Sequence, residues 1–195
     1  MILENPIFIC GYPKSGTTLL NALLDNSNEL LVIPEESKFF SKVMSQKADE
    51  RFDFLFSNTN ISAIKRGIVD EPSGYRDYRD IDFDLLYKFS KEYWTKNPDN
   101  PKNILEALVY GLAKITNRED FTYWVEKTPR TELFLNDVKK MWPNSIAIYI
   151  VRDPRQTFCS HREYQKKRSK PANIVLDNFI INWKRSVNTF NRYLK

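Results

Sequence analysis

Apolar residues follow two rhythms along this chain. Short unbroken apolar runs alternate with segments in which apolar side chains return every three or four positions. Ile7-Phe8-Ile9-Cys10 is the first run, and it gives way to eight turn-rich residues, Gly11 to Thr18. Leu19, Leu20, Leu23 and Leu24 then cluster on one face of a helix. Leu30 to Ile33 predicts a second strand closed by Pro34, and Ser37 is placed to cap a helix carrying Phe39, Phe40 and Val43. Residues 48–80 are polar and show no readable period. Beyond them, Phe83, Leu86, Phe89 and Tyr93, and then Ile104, Leu105, Leu108, Leu112 and Ile115, predict two amphipathic helices. Tyr123 to Val125 reads as a third strand and Leu133 to Met141 as a helix stopped near Pro143. Ile146 to Val151 is the strongest strand pattern, apolar and β-branched between two turn signals, as a buried parallel strand would be. A helix starts at Pro154, and a last one carries Phe179, Trp183, Val187, Phe190 and Leu194.

Strands alternating with helices predict an α/β fold, a P-loop-like three-layer arrangement with a mainly parallel sheet flanked by helices. The 195 residues suit a single domain. A net charge of +5 fits an anionic ligand, and without a basic stripe it does not call for nucleic acid. The basic run Arg162, Lys166, Lys167, Arg168 and Lys170 reads as a solvated helix end. Trp94, Trp124, Trp142 and Trp183 read as core. Cys10 and Cys159 are the only cysteines, which excludes a disulfide framework or a zinc site. No apolar run approaches the about 20 residues of a membrane span, and the start lacks the features of a signal peptide. The expectation is a cytoplasmic protein without a membrane span.

Two of the five glycines, Gly11 and Gly16, frame one loop. Gly11 to Thr18 spells G-x-x-x-x-G-T-T, the Walker A frame with Thr17 at the lysine position and a lysine inside the loop, Lys14. Amide N–H groups of such a turn and of the following helix start form an anion cradle. Lys14 adds a cation, and Thr17 and Thr18 add hydroxyls. Arg152 leaves the carboxyl end of a predicted strand, where open α/β sheets bind ligands, and its planar fork suits a phosphate. Ser160 follows in the next helix. Each segment alone could be a plain βα turn or a surface arginine; together they are more specific.

Pro13-Lys14-Ser15-Gly16-Thr17-Thr18 resembles the 5′-phosphosulfate loop of the PAPS-dependent sulfotransferases (PAPS is 3′-phosphoadenosine-5′-phosphosulfate). Val151-Arg152-Asp153-Pro154-Arg155 with Ser160 resembles their 3′-phosphate motif. The resemblance implies sulfuryl transfer from PAPS to a hydroxyl or amine acceptor. It assigns Lys14, Ser15, Gly16, Thr17 and Thr18 to the 5′ side of the donor, and Arg152 and Ser160 to the 3′-phosphate. Ile33-Pro34-Glu35-Glu36-Ser37-Lys38-Phe39-Phe40 looks like a stretch of the tyrosylprotein and heparan sulfotransferases in which a glutamate is the general base. By position that residue is Glu36, with Lys38 as its basic neighbour. Glu126-Lys127-Thr128-Pro129 resembles a family segment whose lysine reaches the reacting centre, which points to Lys127. The likeness spans residues 6–45 and 123–165. The stretch 46–120 resembles nothing nameable and is expected to build the acceptor side. Many cytosolic members instead use a histidine base after the third strand region. The only histidine here, His161, is expected on the surface of the donor-binding helix. The family normally continues past the Trp-containing helix, so the resemblance implies a sulfotransferase-like domain lacking the usual C-terminal part.

The chemistry fits these residue types. A carboxylate that is partly buried can take the acceptor's proton. Glu35 and Glu36 are adjacent, so in an extended segment only one faces the cleft; solvated carboxylates before a helix start are the bland alternative. Lysine and amides can stabilise charge on the leaving phosphate without a metal. Asp153 is the nearest acid that could hold one, and Asp-Pro after a strand reads as a turn and helix cap. Two other classes stay open: a P-loop kinase using ATP and Mg²⁺, and a truncated, non-catalytic nucleotide-binding module.

Overall fold

The computed structural model describes residues 3–71, 74–167 and 176–194. Its centre is a sheet of four strands, β1 (Pro6–Gly11), β2 (Leu30–Val32), β5 (Tyr123–Lys127) and β6 (Ile146–Ile150). They are ordered β2-β5-β1-β6, and every pairing is parallel. β3 (Ile68–Glu71) and β4 (Gly74–Asp77) form a separate antiparallel hairpin. Parallel pairing brings the carboxyl ends of the four strands to one edge of the sheet. Ile9 lies opposite Lys127 on one side and Ile148 on the other, so three chain segments reach that edge together.

The two faces of the sheet are unequal. On one, Phe8, Cys10, Leu31 and Trp124 pack against α4 (Lys102–Thr116), α5 (Leu135–Met141) and Trp142. Phe8 meets Trp124 at 5.7 Å and Trp142 at 5.6 Å between ring centroids, separations at which tilted rings attract. α3 (Phe83–Trp94) lies closely against α4, and Gly111 permits it: a Cβ there would stand 2.8 Å from the Leu86 carbonyl oxygen. On the other face the buried apolar cluster among the described residues is Ile7, Ile9, Val32 and Val125, with Leu20 and Leu24 of α1 (Thr17–Leu24) over them.

Several expectations change. α1 turns Thr17, Leu20, Asn21 and Leu24 inward, and Leu19 and Leu23 are 67% and 66% exposed. The four leucines straddle two faces because positions 17, 20, 21 and 24 share the inner one. Ile146–Ile150 is parallel as expected, but among the described residues it is an edge strand with half-exposed side chains. Its neighbour lies on one side only. Ser37 precedes a single π-helical turn, Phe39–Val43, rather than an α-helix. The unassigned stretch holds α2 (Arg51–Asn58), a 3-10 helix (Asn60–Arg66) and the β3–β4 hairpin. These elements are short, so no apolar period accumulates in them. α6 (Pro154–Lys167) and α7 (Leu176–Tyr193) match the predicted helices. Arg162, Lys166 and Lys167 are exposed; Arg168 and Lys170 lie outside the described residues. Trp124 and Trp142 are fully buried.

Candidate active site

The loop between β1 and α1 is built on three left-handed residues, Gly11 (φ 146), Lys14 (φ 72) and Gly16 (φ 105). Gly11 has no room for a side chain: a Cβ would lie 2.8 Å from the Ile150 carbonyl oxygen. Gly16 is the N-cap of α1 and supplies no side-chain cap, so the first amides of the helix remain donors for an anion. Ser15 is buried, and its Oγ has no hydrogen-bond partner. Thr17 is buried, while Gly16 and Thr18 are exposed. Lys14 Nζ rests 3.3 Å over the Tyr164 ring of α6.

The turn after β5 clamps the start of this loop. Arg130, itself left-handed (φ 74), donates its backbone N–H to the Gly11 carbonyl at 3.1 Å. Gly11 donates its own N–H to Glu132 Oε2 at 3.0 Å. Glu132 is fully buried and accepts from Ser186 of α7, whose hydroxyl lies 2.8 Å from Tyr149 OH of β6. A carboxylate can stay buried when such donors surround it. Sequence reasoning missed Glu132 because its partners lie far away in the chain.

Arg152 follows β6 and donates Nη1 to the Lys14 carbonyl at 3.2 Å, which ties the second motif to the first. Ser160 lies half-buried one helix further on. His161 beside it is half-buried rather than a surface residue, and its Nδ1 is buried without a partner. Burial lowers its pKa, and Lys14 and Arg130 lower it further. Asp153 accepts the Arg155 N–H at 2.8 Å and pairs with its guanidinium at 2.7 Å. Those bonds to Arg155 pull its pKa down to about 2.

Glu36 and Lys127 meet at the end of β5, with Nζ 3.0 Å from Oε1. Lys127 is 3% exposed and Glu36 24% in their side chains. Asn60 Nδ2 lies 3.5 Å from Glu36 Oε2, and Lys38 Nζ donates to Asn60 Oδ1 at 2.7 Å. Beneath the pair, Glu126 is wholly buried and accepts from Ser37 Oγ at 2.6 Å and Thr128 Oγ1 at 2.5 Å. Lys38 donates its N–H to the same Thr128 oxygen at 3.1 Å. Glu126 thereby fastens the segment that carries Glu36 to the strand that carries Lys127. Burial pushes its pKa up against those two hydroxyl bonds.

Glu35 turns the other way. It is 2% exposed, not solvated, and accepts from the Arg76 guanidinium and from Tyr78 OH at 2.5 Å. Arg76 comes from β4, so Glu35 anchors the hairpin beside the site. Neither Arg76 nor Tyr78 carries a motif; only the structure brings them here. The same edge of the sheet thus collects Lys14 to Thr18, Arg130, Arg152, Glu36 and Lys127.

A family model described as the Sulfotransferase family matches residues 6–193. Among solved structures, sulfotransferase STF9 from Mycobacterium avium superposes with a TM-score of 0.52 at 14% identity. The match covers 99% of this chain and 56% of that one, so the chain spans little more than half of its structural neighbour's length. No curated protein matches the sequence. Among the described residues, no helix is long and apolar enough to cross a membrane.

Proposed function

The chain belongs to the sulfotransferase family, and from that premise we propose that it moves a sulfuryl group from PAPS to a hydroxyl or amine acceptor, without a metal and with Glu36 as base. The observation that carries this reading is the Glu36–Lys127 pair, 3.0 Å apart at the strand end that flanks the glycine-framed loop. The loop suits a phosphosulfate. Its buried Ser15 hydroxyl lacks a partner, its helix start is uncapped, and Gly11 is too crowded for any side chain. Lys14, Ser15, Gly16, Thr17 and Thr18 would hold the 5′ side, and Arg152 and Ser160 the 3′-phosphate.

The donor supplies the sulfuryl group and leaves as PAP (3′-phosphoadenosine-5′-phosphate). Glu36 takes the acceptor's proton as the acceptor oxygen or nitrogen bonds to sulfur. The sulfur–oxygen bond to the 5′-phosphate breaks, and its electron pair stays on the phosphate oxygen. Lys14, Lys127 and the loop amides stabilise that charge. Asn60 and Glu126 keep the base in place. The acceptor would enter beside the β3–β4 hairpin. A cytoplasmic location goes with this reading, supported by two cysteines that are both free thiols.

An ATP-dependent kinase is the rival. Thr17 in place of the Walker lysine disfavours it, and Asp153, the acid the sequence offers for a metal, is occupied by Arg155 and the start of α6. PAP should raise the melting temperature more than ATP–Mg²⁺ does. Lys14→Ala should reduce that shift, and transfer of ³⁵S from labelled PAPS should persist in EDTA. Stabilisation by ATP–Mg²⁺ alone, with EDTA-sensitive turnover, would replace this reading by the kinase.

A further inference from the structure

Lys14, Arg130 and Arg152 bring three cations around the mouth of the phosphate loop, and one imidazole lies within the field of two of them. His161 and Tyr164 share a face of α6 at helical spacing, and Tyr164 is the ring under Lys14 Nζ at 3.3 Å. Among the described residues, the charged groups acting on the imidazole come from two other elements, Lys14 from the loop and Arg130 from the turn after β5. Both are cations. On its own helix, Arg162 and Glu163 are exposed, and Glu163 pairs with Lys166 at 2.8 Å. Arg130 forms no ion pair among the described residues. Its left-handed backbone is fixed by the bond to Gly11, and its guanidinium lies 5.3 Å over the Tyr12 ring of the loop. A left-handed non-glycine residue is held only where its surroundings impose it. Here the imposed conformation lays an arginine across the loop.

We propose that Arg130 and His161 complete the donor's anion site, with His161 taking up a proton when a phosphate or sulfate oxyanion of the donor binds and holding that oxyanion as the imidazolium. The inference rests on the proposal that this loop binds PAPS and PAP. Nδ1 is buried without a partner, and a buried polar atom normally has one. With two cations acting on the ring, a partner that suits its protonated form is an anion. In the ligand-free protein, burial, Lys14 and Arg130 all oppose protonation. A dianion placed among them reverses the balance, because it attracts the proton more strongly than the cations repel it. The ligand and the proton then bind cooperatively.

His161 is the only histidine in the chain, so protein prepared without a histidine tag gives a single imidazole signal by NMR. In the free protein that signal should titrate below the ordinary midpoint of about 6.5. Saturating PAP should move the midpoint above it, a gain in proton affinity of about tenfold or more, whereas adenosine, which has no phosphate, should leave it in place. Arg130→Ala should weaken PAP by about tenfold or more and raise the midpoint in the free protein, since one opposing cation is gone. His161→Gln should reduce the pH dependence of PAP affinity to the part set by the phosphates of PAP, which themselves titrate at about 6. The wild-type titration decides the matter even where a variant fails to fold. An imidazole midpoint that PAP leaves unmoved, with PAP bound, overturns this inference and spares the donor assignment. Failure of PAP to bind at all overturns both.

Discussion

Replacing Glu36 by glutamine tests the chemistry with the smallest change in shape. The amide keeps an oxygen for Lys127, whose ammonium lies 3.0 Å away and is 3% exposed. What is lost is the negative charge and the ability to accept a proton. A positioned base is worth about 10²–10⁴ in rate, or about 2.7–5.4 kcal/mol of barrier. The stability loss should be smaller. A hydrogen bond to a charged group is worth about 1.5–3 kcal/mol. Here one such bond is weakened rather than removed, and Glu36 is 24% exposed. About 1 kcal/mol is the expected cost, or a fall of about 2–4 °C in Tm. The assay is kcat with labelled PAPS at saturating acceptor, beside PAP affinity by calorimetry and Tm by calorimetric scan. Expected are a collapsed kcat, near-native PAP affinity and a small Tm loss. Glu35→Gln is the informative comparison. Glu35 is buried and holds Arg76 and Tyr78, so its signature should be a larger Tm drop from loosening the hairpin. A Glu36→Gln protein that folds and keeps kcat within about threefold, under 1 kcal/mol of barrier, would refute Glu36 as base.

Two further outcomes follow from the same site. Arg152→Ala should weaken PAP about tenfold or more beyond any loss for AMP, which lacks the 3′-phosphate; calorimetry that gives equal losses contradicts the assignment. Glu126 has its folded pKa raised by burial, so the native state holds its proton more tightly than the unfolded chain. That stabilisation is full below the ordinary carboxylate pKa and is lost as pH rises through the raised value. Urea titrations across this window should show wild type losing stability relative to Glu126→Gln as pH increases, and parallel pH curves would refute it.

The parts of the site that could be read from the sequence are those whose chemistry is local. Gly11, Gly16 and Lys14 form one short loop, and Arg152 follows directly on a strand, so spacing is enough to place them at the carboxyl ends of β1 and β6. α3 and α4 are long enough for their apolar period to show. The buried carboxylates were out of reach for the opposite reason. Glu132 meets Gly11 across 121 positions, Glu126 meets Ser37 across 89, and Glu35 meets Tyr78 across 43. Composition assigns glutamate to the surface, and only the assembled donors around each one reverse that. The alternation in β5 offered a faint signal, since Glu126 follows Trp124 on the inward side of the strand. His161 was misplaced because helical periodicity does not show that the face it shares with Tyr164 looks onto Lys14. β6 was read as interior because an apolar run says nothing of how many neighbours a strand has.

The unequal faces of the sheet give the molecule an uneven resistance to opening. α1 holds its face with Leu20 and Leu24 over four buried aliphatic side chains, while its leucines at 19 and 23 stand in water. On the opposite face, Phe8, Trp124 and Trp142 are locked together. Elements with few buried apolar contacts detach at less than the global free energy, so the amides of α1 should exchange with solvent through a partial opening that leaves the aromatic face closed. An anion seated at the start of α1 favours the closed form by mass action, by about 2.7 kcal/mol when ligand stands at a hundred times its Kd. Occupancy of the loop would then be recorded in the exchange rates of one short helix, a reporter that needs neither an acceptor nor turnover.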